Sequence, residues 1–223
     1  MNRSHPIPLL FLSDSPHLST GLARIAKDLA LIASSLPQFK VGVMGRGGYG
    51  SSQLPFAQYN FPEQDQWGEE LLELAWKDFS GGKYGVLFSV WDISRLCWLG
   101  NPVGIEGPIG KFLNKKPFHK WLYTPIDGYG IGGKLTSQCQ AALPGFDRLL
   151  AYTLYGKGVL EATVGHEVDW IPHGFNANVF QPRGKTAGRT ILGVDDHDTL
   201  IGSVMTHQIR KDWGTAFAAI ARV

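Results

Sequence analysis

Cysteine is almost missing from this chain. Cys97 and Cys139 are the only two in 223 residues, and they stand at neither a metal-binding nor a disulfide spacing. That argues against a disulfide scaffold or a zinc module and suits a reducing compartment. An excess of one charge is missing too. The 21 Lys and Arg against 19 Asp and Glu leave a net charge of +2, too little for a nucleic-acid binder driven by phosphate neutralisation. Residues 181–223 carry six of those cations and four of the anions, so neither part is a basic arm. Long apolar runs are also lacking. Ile7 to Leu12 is too short for a signal segment or a membrane span, so no transmembrane segment is expected and the cytoplasm is the expected location. The seven His are scattered and Asp195-Asp196-His197-Asp198 reads as a solvated acidic loop, so no metal is expected. Hydrophobic residues at 43% and charged ones at 18% describe a globular chain able to bury a large core. Its length is long for one domain and short for two full ones.

The order of patterns is α/β. Ile7 to Leu12 reads as a buried strand, since strands covered on both faces show continuous apolar runs. Leu22, Ile25, Ala26, Leu29, Ile32, Ala33 and Leu36 then recur at helical spacing, with Ser19 or Thr20 as a natural N-cap. Phe39 to Met44 is a second strand, which completes a βαβ unit and predicts a parallel sheet. Residues 45–59 form a Gly- and Ser-rich loop. Residues 65–79 predict an amphipathic helix with Trp67 on its apolar side, stopped by Gly81-Gly82. Strands are predicted at Tyr84–Val90, Trp121–Thr124 and Arg148–Tyr152, with helices at Ile93–Leu99, Leu135–Ala142 and Gly156–Ala162. Past residue 182, Arg183 to Arg189 is polar, Leu200 to Met205 predicts a strand and Trp213 to Ala221 a helix. One strand and one helix cannot bury a core of their own, so the chain is expected to be a piece whose second domain is mostly absent.

The stretch that organises the rest is Trp170-Ile171-Pro172-His173-Gly174-Phe175-Asn176-Ala177-Asn178-Val179-Phe180-Gln181-Pro182. A short β-type run, Glu167 to Ile171, leads into it. Pro172 fixes φ and Gly174 is free to take φ > 0, while Val179 and Phe180 tack the segment to something apolar. The reading is an anchored crossing between two bodies. This pattern resembles the I-P-N-G-V-D…F-x-P crossover of family 4 glycosyltransferases, with His173 for the usual Asn and Asn176 for the usual Asp. Arg210-Lys211, which open the last predicted helix, resemble that family's donor-diphosphate site, although no Arg follows the Leu200–Met205 strand. Thr20-Gly21 resembles its Gly-rich first turn, and Thr153 stands for the Ser of its V-S-E turn.

The resemblance implies a GT-B glycosyltransferase: two Rossmann-like domains facing one cleft, with helices on both faces of each parallel sheet. It implies transfer of a sugar from a nucleotide-sugar donor to a glycan, lipid or small-molecule acceptor, with retention and without a metal or further cofactor. The implied organisation is an acceptor-side domain over residues 1–172, a crossover over 173–189, and the first strand-helix unit of a truncated donor domain over 190–223. The family's later Glu-x7-Glu pair has no counterpart here, so the piece alone is expected to be inactive. Two other classes stay open: a glycan- or nucleotide-sugar-binding module without catalysis, and another GT-B enzyme such as an epimerase or phosphorylase.

The candidate residues follow from strand ends. In open α/β sheets ligands sit beyond the carboxyl ends of strands, where helix N-termini offer free N–H groups. Gly21 there would let a phosphate or sugar approach the backbone, with Ser19 and Thr20 beside it on the acceptor side; the alternative is a packing glycine after an N-cap. Arg46 and Tyr49 are candidate acceptor contacts on a loop that is otherwise merely solvated. Trp91 offers an aromatic platform and Asp92 either an acceptor contact or the cap of the next helix. Asp127, at the end of a buried strand, is the catalytic candidate, able to hold or deprotonate an acceptor hydroxyl if burial raises its pKa, or else a turn-capping Asp. Arg210 and Lys211 read as a clamp on a departing diphosphate or as a solvated basic pair.

Overall fold

A computed structural model describes residues 5–48, 50, 53–62, 64–103, 105–204 and 209–222. Strand β1 (Ile7–Asp14) is buried at every position after the first, as its apolar run demands. Leu10 and Leu12 point into one core and Leu9 and Phe11 into another, because successive side chains leave a strand on opposite faces. Helix α1 (Gly21–Ser34) buries Ala23, Ala26, Ala30 and Ala33. This stripe of small residues at three- and four-residue spacing lets the helix lie close on the sheet. Strand β2 (Phe39–Arg46) pairs with β1 along its whole length, Ile7 opposite Phe39 and Asp14 opposite Arg46.

Beyond β2 come β3 (Ala57–Phe61) and helix α2 (Leu72–Ser80), which Gly81 ends in the left-handed conformation at φ 60°. The chain then returns to the other side of β1 with β4 (Val86–Val90), helices α3 (Cys97–Gly100) and α4 (Pro108–Asn114), and β5 (His119–Thr124). Helix α5 (Ser137–Ala142), β6 (Arg148–Ala151), α6 (Leu154–Val164) and β7 (Asp169–Trp170) complete the sequence. The spatial order is β3-β2-β1-β4-β5-β6-β7, and every pairing is parallel. This is a Rossmann-like sheet with helices packed on it. Connections run outward from β1 in one direction and then in the other, which puts the topological switch point between β1 and β4.

The predicted alternation holds in the first unit, with local differences: helix α4 is unexpected, and the expected helix Ile93–Leu99 is a 3-10 turn, Ile93–Arg95, followed by α3. Strand β3 lies partly in what reads as loop, since Ala57-Gln58-Tyr59-Asn60 is an edge with only Phe61 buried. Residues 65–71 are turns, because Asp65 accepts hydrogen bonds from the amides of Glu70 and Leu71 and delays the helix to Leu72. The cysteines, far apart in sequence, meet as buried free thiols 3.9 Å apart where α3 packs on α5. Burial pushes the Cys97 thiol up to about 12.

The chain divides into two compact units, Met1–Gly174 and Phe175–Val223. The second contains helices α7 (Lys185–Leu192) and α8 (Trp213–Ile220) and a 3-10 turn, Ile209–Lys211. The expected truncated second Rossmann-like domain is not evident there. Leu200–Val204 forms no strand, Met205 falls outside the described residues, and none of the unit's described residues is buried. An apolar run without a neighbouring strand has nothing to complete its backbone hydrogen bonds, so it cannot form a ladder. Helix α7 begins within the polar stretch Arg183–Arg189, for which no helix is expected.

The turn Leu143–Gly145 packs against the end of α3 so closely that a Cβ on Gly145 would overlap the Gly100 carbonyl. Gly145→Ala should therefore cost about 1–3 kcal/mol of stability, read as a lowered Tm, whereas Gly158→Ala, with open space around it, should not lower it.

Candidate functional site

The carboxyl edge of the sheet is built around the end of β1. Ser13 Oγ donates to the Val90 carbonyl at 3.0 Å, tying β1 to β4 across the switch point. Asp14 follows, 9% exposed. One of its oxygens accepts from the Trp91 indole N–H at 3.0 Å and the other from the Thr20 hydroxyl at 2.6 Å. Thr20 in turn accepts from the Ala23 amide at 3.1 Å as the N-cap of α1. A buried carboxylate thus fixes where the helix begins.

The result is an open helix N-terminus. The Gly21 and Leu22 amides have no backbone or side-chain acceptor among the described residues, and they form the positive end of the helix dipole. A Cβ on Gly21 would touch nothing within 4 Å, so packing does not require this glycine. Beside it lies a recess of about 420 Å³ whose walls include Pro16, His17, Ser19, Thr20, Arg24 and Lys27. The His17 ring, one of its walls, pairs with the Gln58 side chain at 2.6 Å.

A second group sits further along the same edge. Arg46 ends β2 and places its guanidinium 4.9 Å from the centre of the Trp67 ring. Arg95, in the 3-10 turn Ile93–Arg95 after β4, lies 4.7 Å from the same ring. Arg95 also pairs with Asp92 at 3.4 Å. Trp67 packs edge-on against Trp91 at 5.5 Å, which links this group to the Asp14 clamp.

A third group closes the far side. Tyr123 donates to the Ile171 carbonyl at 2.6 Å, and its ring lies 4.1 Å from that of Tyr152. The His173 ring lies 4.1 Å from Tyr152, so the start of the strap is held by aromatic contact. Burial pushes the Tyr123 phenol up to about 12 and lowers the His173 pKa. The Tyr152 hydroxyl is buried without a hydrogen-bond partner.

Of the residues singled out in the sequence, Ser19 and Thr20 line the recess, Gly21 follows them as the first residue of α1, and Arg46 lies on the same edge. Tyr49 lies outside the described residues. Trp91 is fully buried, so it is no platform for a sugar: its indole N–H is spent on Asp14, and its ring on Phe61 and Trp67. Asp92 sits at the N-cap position of its turn without making the side-chain cap bond and instead pairs with Arg95. Asp127 is exposed and none of the described residues bonds to it, so the burial on which a general-base reading leans is absent. Thr153 caps α6 by accepting from Gly156 at 3.0 Å.

Lys211 and the backbone of Arg210 belong to the second unit, and the Arg210 side chain lies outside the described residues. The N-terminus of α8 is already occupied: Asp212 accepts from the Thr215 amide at 3.2 Å, and hydrogen bonding from the Thr215 side chain and then from its amide holds the Asp212 carboxyl below the usual range. An anion is thus built in where the clamp reading needs an anion to bind. Among the described residues no three His, Cys, Asp or Glu side chains gather as a metal site, and no helix is long and apolar enough to cross a membrane. Asp14, Trp67 and Arg95 are the edge residues that sequence reasoning missed. The rule that ligands gather at strand ends pointed to Asp14, but nothing in the sequence announced the indole that Arg46 and Arg95 share.

No family model and no curated protein matches this sequence. Solved structures do match. The fold resembles that of Anabaena Alr3699/HepE. That protein was crystallised in complex with UDP, and the superposition has a TM-score of 0.51 at 14% identity, covering 84% of this chain and 50% of that one. The chain thus spans half the length of the protein it matches, and at this identity the likeness concerns the fold.

Two outcomes test the geometry. Asp14→Asn can accept from only one of its two donors and turns its amide N–H towards the other, so it should lose about 1–3 kcal/mol in thermal or urea unfolding. His173 should titrate below the ordinary 6.5 when its ring protons are followed by NMR. As pH falls, the unfolded chain takes up this proton before the folded one. The associated stability is therefore whole above the unfolded pKa and is lost as pH falls through the folded value. His173→Phe should remove that part of the slope.

Proposed function

We propose that this chain is the acceptor-side part of a GT-B glycosyltransferase that uses a nucleotide-sugar. The observation that carries the reading is the open N-terminus of α1 at the switch point, with two free amides, an unencumbered Gly21 and a polar recess beside them. The Pro172–Pro182 strap, with its family 4 pattern, and a fold similar to that of a protein crystallised with UDP support it.

In this reading the acceptor hydroxyl lies in the recess between Ser19, Thr20 and the far wall of the edge. The Gly21 and Leu22 amides donate to oxygen that gains negative charge as the bond between the sugar and the nucleoside diphosphate breaks. The diphosphate leaves, a new bond joins the sugar carbon to the acceptor oxygen, and the proton of the acceptor hydroxyl passes to the departing phosphate oxygen. Asp127, exposed at the end of β5, accepts a hydrogen bond from an acceptor hydroxyl and orients it. A sugar-binding module without transfer is the second reading, favoured by the absence of any described group that would turn Asp127 into a base.

The test uses the protein that carries this chain, assayed with a panel of nucleotide-sugars that includes UDP-sugars. Gly21→Val should lower kcat/KM by about 100-fold, as expected for blocking one anion-stabilising donor set, with no loss of Tm because the position is open. Transfer by the variant at the parental rate, or no transfer from any donor, would overturn the reading. Binding of acceptor sugars without turnover would favour the module.

A further inference from the structure

We propose that Arg46 and Arg95, gathered on the Trp67 ring, form a subsite for an anionic group, a phosphate or a carboxylate, carried by the acceptor. The word acceptor rests on the glycosyl-transfer reading above; the anion site itself does not.

The argument starts from unbalanced charge. Two guanidiniums lie within 5 Å of the centre of one indole, at 4.9 and 4.7 Å. The ring face attracts each cation, but the two cations repel one another. Among the described residues only one carboxylate answers them, Asp92, and it pairs with Arg95. Asp14, the register partner of Arg46 on β1, has both oxygens taken by Thr20 and Trp91. Arg46 has no ion pair among the described residues.

Its hydrogen bonding is also incomplete. The Nε–H of Arg46 is buried and donates to none of the described residues, while the residue as a whole is half-buried. Such a group has lost water without gaining an acceptor, and it costs free energy unless something else supplies the acceptor. Arginine forks suit phosphate and carboxylate oxygens in particular, through paired N–H donors. The location fits the same role, since both arginines and the indole stand at the carboxyl edge near the switch point, where ligands of such sheets gather. An anion here would offset the repulsion within the cation pair.

The experiment follows the Trp67 indole N–H by NMR, identified with Trp67→Phe, during titration of the protein with glucose 1-phosphate, glucuronate, glucose and UDP. Glucose 1-phosphate or glucuronate should shift the signal saturably, and glucose should not. Affinity for the charged sugars should fall about tenfold or more in Arg46→Gln and in Arg95→Gln, as loss of a charge-assisted pair requires, with Arg46→Lys recovering part. In the transfer assay the same variants should raise KM for a charged acceptor and leave KM for the donor unchanged. The proposal is overturned if glucose binds as tightly as the charged sugars, or if the variants bind like the parent. It is also overturned if only UDP binding depends on the arginines, since the site then belongs to the donor diphosphate. Arginine-dependent binding of charged sugars without transfer from any donor would keep the subsite and remove the transferase reading. Transfer to neutral acceptors, untouched by Arg46→Gln, would do the reverse.

Discussion

Asp14 ends the central strand with both carboxylate oxygens occupied, one by the indole of Trp91 from the neighbouring β4 and the other by the hydroxyl that caps α1. A buried carboxylate is costly unless it is hydrogen-bonded, so this residue can stand at the edge only while strand β4 and helix α1 are both in place. The dependence runs the other way as well. Without Asp14 the Thr20 hydroxyl would lose its acceptor and the indole N–H would be buried unpaired. The start of the helix, and with it the direction of the two free amides, is therefore set by an interaction between three segments and not by the helix itself.

The rest of the edge extends from that clamp. Trp91 is held by Asp14 and packs on Trp67, and Trp67 gathers the two arginines. A polar recess on one side and a cationic group on the other are thus joined through a pair of indoles. On the far side, Tyr123 and Tyr152 hold His173, the first polar residue of the strap, against β5 and β6. Rigid packing below the edge and unsatisfied donors upon it are the usual division of labour in such sheets: strands fix positions and the loops after them present chemistry.

Much of the fold was legible because buried parallel strands announce themselves. Ile7–Leu12 and Phe39–Met44 have continuous apolar runs, and α1 has an alanine stripe at helical period. The edge strand β3 was hidden because only Phe61 of its five residues is buried, and Leu200–Met205 misled for the opposite reason: it is apolar without a partner strand in the described unit. The site was legible only in part. Thr20 and Gly21 followed from the capping and strand-end rules, whereas Trp91 looked like a sugar platform because an aromatic residue at a strand end gives no sign of which way it faces.

By itself, the sequence determined the alternation of strands and helices, the parallel pairing it implies and the caps at Thr20 and Thr153, because these depend on periodicity and on contacts a few residues apart. Only the tertiary structure decided that Asp14 takes its second donor from a residue 77 positions away, that two arginines share one indole, and that the two cysteines touch. Those pairings are made by strand order and register, which bring distant residues to one edge, and no local pattern records which side chains will meet there.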